Sequence, residues 1–411
     1  MLLGAVPLKA FSPMTMKVRD KSGRLGGLRE TIRMKKGGVC KASLITDPES
    51  FQVGRLLGTY GFFNVTTYSG FTSSTFADEE DVPLFKTQDL GQGNVNIRLY
   101  QGRIIQGPFR GTSVIFKVYP GQRAGGPEAD MMASNELSTH AFLQSKSRER
   151  CQNLLLLLGG FETQTGEQWL AFRDDGRYSA ADYAKFASEK LARNQALEPQ
   201  SFWNPFDRDQ MIKRRRYFVT KILQGISGGL VYMHKHDRLH QSLGPASVVL
   251  NTTSEREAAY LIARLRDLAF SVDISYSSFE KGPGALSEGL WRRAITAGAF
   301  DPIEKRNFGI ADDIYEAGLL FAYLAFIPFC EPGIMDSLSL QRLLESTFKL
   351  DLQAAREYCL ADDRLLEAVK FLDLGDGAGW ELLQAMLNTD YRKRPIAAAV
   401  QSHRFVRGAV L

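Results

Sequence analysis

The sequence predicts an α+β protein of two unequal lobes, and three observations predict it. Short apolar runs rich in β-branched or aromatic residues, punctuated by glycine, crowd residues 94–172. One helix-period segment interrupts them, Glu128–Ser145, where Met132, Leu137, Ala141 and Phe142 recur on one face. Beyond Asp174 the helical period dominates to the end of the chain. A small sheet with one helix, followed by a larger helical part, is an α+β arrangement.

The strand runs, in order, are Asn94–Leu99, Ser113–Tyr119, Asn153–Leu158 and Gln168–Phe172. Ala192–Arg216 is polar and ends in Lys213-Arg214-Arg215-Arg216, which reads as a solvated loop and the exposed first turn of a helix. That helix follows, with Phe218, Ile222, Ile226, Leu230 and Met233 on its buried face. The apolar stretch Ala317–Cys330 is too short to span a bilayer, which takes about 18–20 apolar residues, and reads as core. Asp312 and Asp313 before it suit a helix start, where acidic side chains offset the dipole.

Composition narrows the class. The 411 residues are 44% hydrophobic and 24% charged, the proportions of a globular chain, which excludes disordered, collagen-like and coiled-coil classes. Cys40, Cys151, Cys330 and Cys359 are too scattered for a disulfide framework or zinc knuckle. His140, His234, His236 and His403 show no metal-ligand spacing.

The net charge of +5 is unevenly placed. Residues 1–46 hold ten Lys/Arg against Asp20 and Glu30, while the remaining 365 residues carry 41 basic and 44 acidic side chains, a net −3. A nucleic-acid binder carries its basic surface on the folded domain, so no nucleic-acid partner is expected. An Arg/Lys-rich, acid-poor leader without a long apolar core has the composition of an organelle transit peptide. Val39-Cys40-Lys41-Ala42-Ser43 resembles a chloroplast processing region. The expected organisation is a transit peptide at 1–46, an extension at 47–82, a first lobe at 83–173 and a second at 174–411 with an insertion at 192–216.

The segment with the most chemistry is His240-Gln241-Ser242-Leu243-Gly244-Pro245-Ala246-Ser247, followed by the apolar Val248-Val249-Leu250. It resembles the H-R-D-L-K-P-x-N loop and strand of eukaryotic protein kinases. Other stations follow the family's order. Ser113–Lys117 resembles the V-A-I-K strand, and Glu136 lies 19 residues on, in the helix where the family keeps the Glu that pairs with that Lys. Arg266-Asp267-Leu268-Ala269 stands where D-F-G is expected. Asp313–Gly318 resembles the start of the central helix, and Leu383–Pro395 the last helix turn with Arg394 as its ion-pairing Arg. Gly91 and Gly93 resemble the start of the Gly-rich loop. A second copy, Leu57–Val65, reads as a strand or turn of the extension. Pro302-Ile303-Glu304 is a weak match to A-P-E.

The resemblance implies a bilobal kinase fold, with Gly91, Gly93, Lys117 and Glu136 toward ATP and Asp267 toward Mg²⁺. A second reading stays open, in which Lys117–Glu136 is an ion pair fixing helix to sheet and Asp267 a turn residue. At the catalytic positions the loop departs from the family. Ser242 replaces the Asp that takes the hydroxyl proton, Gly244 the Lys that steadies phosphate, and Ser247 the Asn that holds metal. Serine is neither an effective base near neutral pH nor an anion. The sequence thus resembles a divergent plant chloroplast pseudokinase, in the stroma or at the thylakoid surface, scaffolding or regulating protein partners it does not identify. The alternative is an active Ser/Thr kinase using another carboxylate, such as Asp237 or Asp273.

Overall fold

In the computed structural model, residues 8–9, 44–62, 88–89, 95–146, 151–197, 205–282 and 284–409 are described. Most of the expected transit segment, the acidic run 78–81 and Gly91–Gly93 lie outside them.

The first lobe is built from β1 (Phe51–Phe62), β2 (Val95–Ile104), β3 (Ser113–Tyr119), α1 (Gln122–Lys146), β4 (Leu157–Thr163) and β5 (Gln168–Arg173). The sheet order is β4-β5-β3-β2-β1, antiparallel throughout, with the two-residue strands Leu8–Lys9 and Gln88–Asp89 at its edges. Alternation sorts the side chains of β3. Val114, Phe116 and Val118 join Phe51, Ile104 and Phe161 on the face away from α1. Tyr119 joins Tyr60, Ile97 and Leu170 on the face packed against Met132 and Ala133 of α1.

Several expected boundaries move. Phe51–Phe62, assigned to an extension, is hydrogen-bonded to β2 along its length, so the 82/83 boundary cuts through one sheet. Composition hid this because the Gly, Thr and Phe of that stretch read as turn-rich. β4 begins at Leu157 rather than Asn153, although Leu154 and Leu156 are buried all the same. α1 starts six residues early but breaks at Gly126, whose φ of 65° only glycine adopts freely. Pro127 then restarts it at a first-turn position, where no N–H is needed. Ile45 bridges Gly159 so closely that a Cβ there would lie 2.0 Å from the Ile45 carbonyl oxygen.

The second lobe comprises α2 (Ala180–Leu197), α3 (Pro205–Lys235), β6 (Val248–Leu250), β7 (Ala263–Leu265), α4 (Glu288–Thr296), α5 (Pro302–Phe326), α6 (Leu352–Leu360), α7 (Leu366–Leu372), α8 (Leu374–Met386) and α9 (Ala397–Ser402). Its core gathers Ile314, Phe321 and Leu324 of α5 with Phe218, Ile222 and Ile226 of α3 and Leu383 of α8. The stretch Ala317–Cys330 is thus core, and no described helix is long and apolar enough to cross a membrane.

Two charge assignments are corrected. Asp301 is the N-cap of α5, in a capping box with Glu304, so Asp312 and Asp313 sit mid-helix and Glu304 is a capping residue. Arg215, expected in an exposed turn, is completely buried.

Candidate functional site

β3, α1 and the 266–271 turn bring Lys117, Glu136 and Asp267 together. β3 pairs Lys117 with Leu99 of β2 and Leu170 of β5, in the centre of the sheet. Glu136 projects from α1, and Lys117 Nζ lies 2.7 Å from Glu136 Oε2 and 2.7 Å from Asp267 Oδ1. All three are nearly inaccessible to solvent. Burial works against the charge of Lys117, yet Asp267 and Glu136 outweigh it and raise the ammonium well above ordinary lysine. Burial likewise opposes the Asp267 carboxylate, but Lys117 and Arg266 hold it well below the usual range.

Asp267 adopts φ 66°, ψ 49°, a left-handed turn that Asp tolerates better than most residues. The turn is tied to α1 by Asn135, whose Nδ2 donates to the carbonyls of Ala269 and Ser271 at 2.8 Å each. Tyr119 donates to Glu136 from β3.

The loop at 240–247 is held in place by buried hydrogen bonds. Asp313, fully buried, accepts from the backbone N–H groups of His240 (2.8 Å) and Gln241 (3.0 Å) and meets His234 Nε2 at 2.9 Å. This use, not dipole compensation, explains the residue. His240 is buried, and its Nδ1 accepts from the Ser242 N–H at 3.3 Å. Ser242 Oγ donates to the Asp267 carbonyl at 2.7 Å. Ser247 Oγ is engaged with the N–H and carbonyl of Gly244. A Cβ on Gly244 would meet nothing within 4 Å, so its missing side chain is not a steric requirement.

Beside the loop opens a cavity of about 670 Å³, lined among others by Leu57, Thr59, Tyr60, Leu99, Ile115, Arg177, Ser242 and Gly244. Its carboxylates are Asp182 and Glu316, which accept from the N–H groups of Ser179 and Leu243. Asp237 and Asp273, the alternative bases, pair instead with Arg306 and Arg238 and do not line it. Arg394 donates to the carbonyls of Asn388 and Ala311 rather than to a carboxylate.

Two participants escaped the sequence reading. Tyr60 Oη donates to Asp267 Oδ1 at 2.8 Å, and Arg266 Nε lies 3.3 Å from Asp267 Oδ2. The signal for Tyr60 is the Leu57–Val65 copy of the glycine pattern, which reads as a strand or turn of an extension. Arg266 was in view as the neighbour of Asp267.

Magnesium does not fit this set. Both oxygens of Asp267 are met by donors, the hydroxyl of Ser247 is engaged locally, and among the described residues no cluster of three His, Cys, Asp or Glu can hold a metal.

No protein-family model matches the chain. Over 314 residues, 71% of this chain, it is 21% identical to the serine/threonine-protein kinase STN7, chloroplastic, of Arabidopsis thaliana, covering 54% of that protein. A 72-residue stretch, 17% of this chain, is 29% identical to calcium-dependent protein kinase 4 of Plasmodium falciparum, covering 13% of it. The chain thus spans about half the length of the first of these curated relatives and far less of the second. A crystal structure of an Stt7 homologue from Micromonas algae, soaked with ATP, matches with a TM-score of 0.53 at 17% identity, over 93% of this chain and 97% of that one.

Proposed function

We propose that this chain, which is similar to a chloroplastic serine/threonine kinase and shares the fold of an Stt7 homologue, is a pseudokinase of the protein-kinase superfamily: a chloroplast protein that binds nucleotide in its cleft and regulates or scaffolds other proteins instead of phosphorylating them. The observation that carries this reading is the 2.7 Å hydrogen bond from Ser242 Oγ to the Asp267 carbonyl. The atom standing where a kinase keeps its anionic base is a neutral hydroxyl committed to a structural bond. Phosphoryl transfer depends on positioning and on charge placed where charge develops. With Ser242, Gly244 and Ser247 replacing three charged or metal-holding groups, transfer falls by several orders of magnitude.

Nucleotide binding is supported by the cavity, by the intact Lys117–Glu136 pair and by the ATP soaked into the Micromonas structure. The chloroplast address is supported by the composition of residues 1–46 and by the chloroplastic relative. Residence in the stroma or at the thylakoid surface belongs to the same proposal.

The test is a transfer assay with γ-labelled ATP, Mg²⁺ and a basic acceptor protein. The expected result is no label above background. Label that disappears in Glu316→Gln or Asp182→Asn would identify a replacement base and overturn the reading in favour of an atypical kinase.

A further inference from the structure

Tyr60 sits at the centre of the buried charge cluster. The register of β1 on β2 sets it opposite Ile97, and its side chain is enclosed, 4% exposed. The ring lies 5.7 Å from Lys117 Nζ and 5.8 Å from the Arg266 guanidinium carbon, within reach of favourable cation–π contact. Its hydroxyl and the Lys117 ammonium donate to the same oxygen of Asp267, at 2.8 and 2.7 Å, while Arg266 faces the other oxygen. Lys117 and Arg266 balance Glu136 and Asp267, so the cluster is neutral as it stands. A divalent cation at Asp267 would have to displace the Tyr60 hydroxyl and lie between two held cations, where a low dielectric makes like-charge repulsion severe.

We propose that Tyr60 is a built-in substitute for the divalent cation, and that the cleft takes adenine nucleotide in its metal-free form. The proposal rests on the nucleotide reading above and adds which form of nucleotide binds and which residue selects it. On this proposal the free anion meets Arg177, an exposed cation that lines the cavity. Asp267 then has a structural role, as the acceptor that joins β1, β3 and the 266–271 turn.

The experiment is a thermal-shift titration of the full chain with ATP in EDTA and with ATP in excess Mg²⁺, beside Tyr60→Phe, which keeps the ring and removes the hydroxyl. The wild-type chain is expected to bind ATP at least as tightly in EDTA, whereas Tyr60→Phe gains an affinity for Mg²⁺–ATP about tenfold above its affinity for free ATP. Wild-type binding that requires Mg²⁺, a Tyr60→Phe chain that gains no Mg²⁺ preference, or no wild-type shift with ATP in either form overturns the proposal. Should Tyr60→Phe not fold, Mn²⁺ paramagnetic resonance on the wild type with ATP decides it: an immobilised Mn²⁺ signal overturns the proposal and its absence supports it. An immobilised signal without phosphate transfer would end this inference and leave the pseudokinase reading standing, whereas transfer would end both.

Discussion

Arg215 donates from Nε to Glu255 Oε1 at 2.8 Å, with side-chain exposures of 0% and 8%. A second guanidinium nitrogen donates to the Pro328 carbonyl, and Tyr183 Oη reaches the same glutamate at 3.3 Å. The pair pins α3 to the 255–260 turn and to the end of α5. Removing one partner of a buried pair leaves the other charge uncompensated, at about 3–5 kcal/mol. Arg215→Ala is expected to destabilise by that amount in urea unfolding, and Arg215→Met with Glu255→Met to recover much of it. Equal losses in the single and double variants would show that packing, not charge, dominates.

His140 makes stability fall in mild acid. Burial pushes its imidazole down to about 3, so the folded protein keeps it neutral while the unfolded chain protonates it below about 6.5. The folded value lies below the unfolded one, so stability is fully present above pH 6.5 and drains away as pH falls. The loss at pH 5.5 is about 1.4 kcal/mol. Urea unfolding at pH 7.5 and 5.5 should show it, and His140→Leu should remove that part of the slope.

Lys117→Met should reverse the pH response of Asp267. In the wild type the carboxyl is held well below its ordinary value, so its contribution is present above the unfolded value near 3.8 and lost only as pH falls below that. Without Lys117, burial dominates and the folded carboxyl rises above its unfolded value, so stability is greatest in acid and declines as pH rises through the folded pKa. Unfolding midpoints at pH 5 and pH 8 compare the two. A variant whose midpoint tracks the wild type at both pH values would mean that Arg266 alone holds Asp267.

Ser242→Asp restores the family's residue type but not its activity. The hydroxyl is buried and donates to the Asp267 carbonyl; a carboxylate there faces that carbonyl oxygen and has no proton to give. The expected cost is about 1–3 kcal/mol of stability, read as a lower thermal midpoint, with no phosphate transfer, because Gly244 and Ser247 remain. Transfer by Ser242→Asp alone would show that the rest of the cleft is competent.

Some of this was open to a reader of the sequence because it is local. The spacing from His240 to Leu250, the period of α3 and the order of Lys117, Glu136 and Asp267 are properties of short segments and their sequence. Even the burial of Arg215 had a local sign, since it stands three residues before Phe218 and seven before Ile222, on the stripe already assigned to the core. Among four consecutive basic residues, however, composition pointed to the surface.

The sequence by itself determined the two-lobed fold and which residues stand at positions 242, 244 and 247, because periodicity and residue identity are written along the chain. Only the tertiary structure decided what Asp267 does. Its partners come from position 60 on one strand, position 117 on another and the adjacent position 266. Which of them meet depends on how β1 registers on β2 and how α1 holds the turn, and those are set by hydrogen-bonding and packing between segments far apart in the chain, which no local pattern encodes.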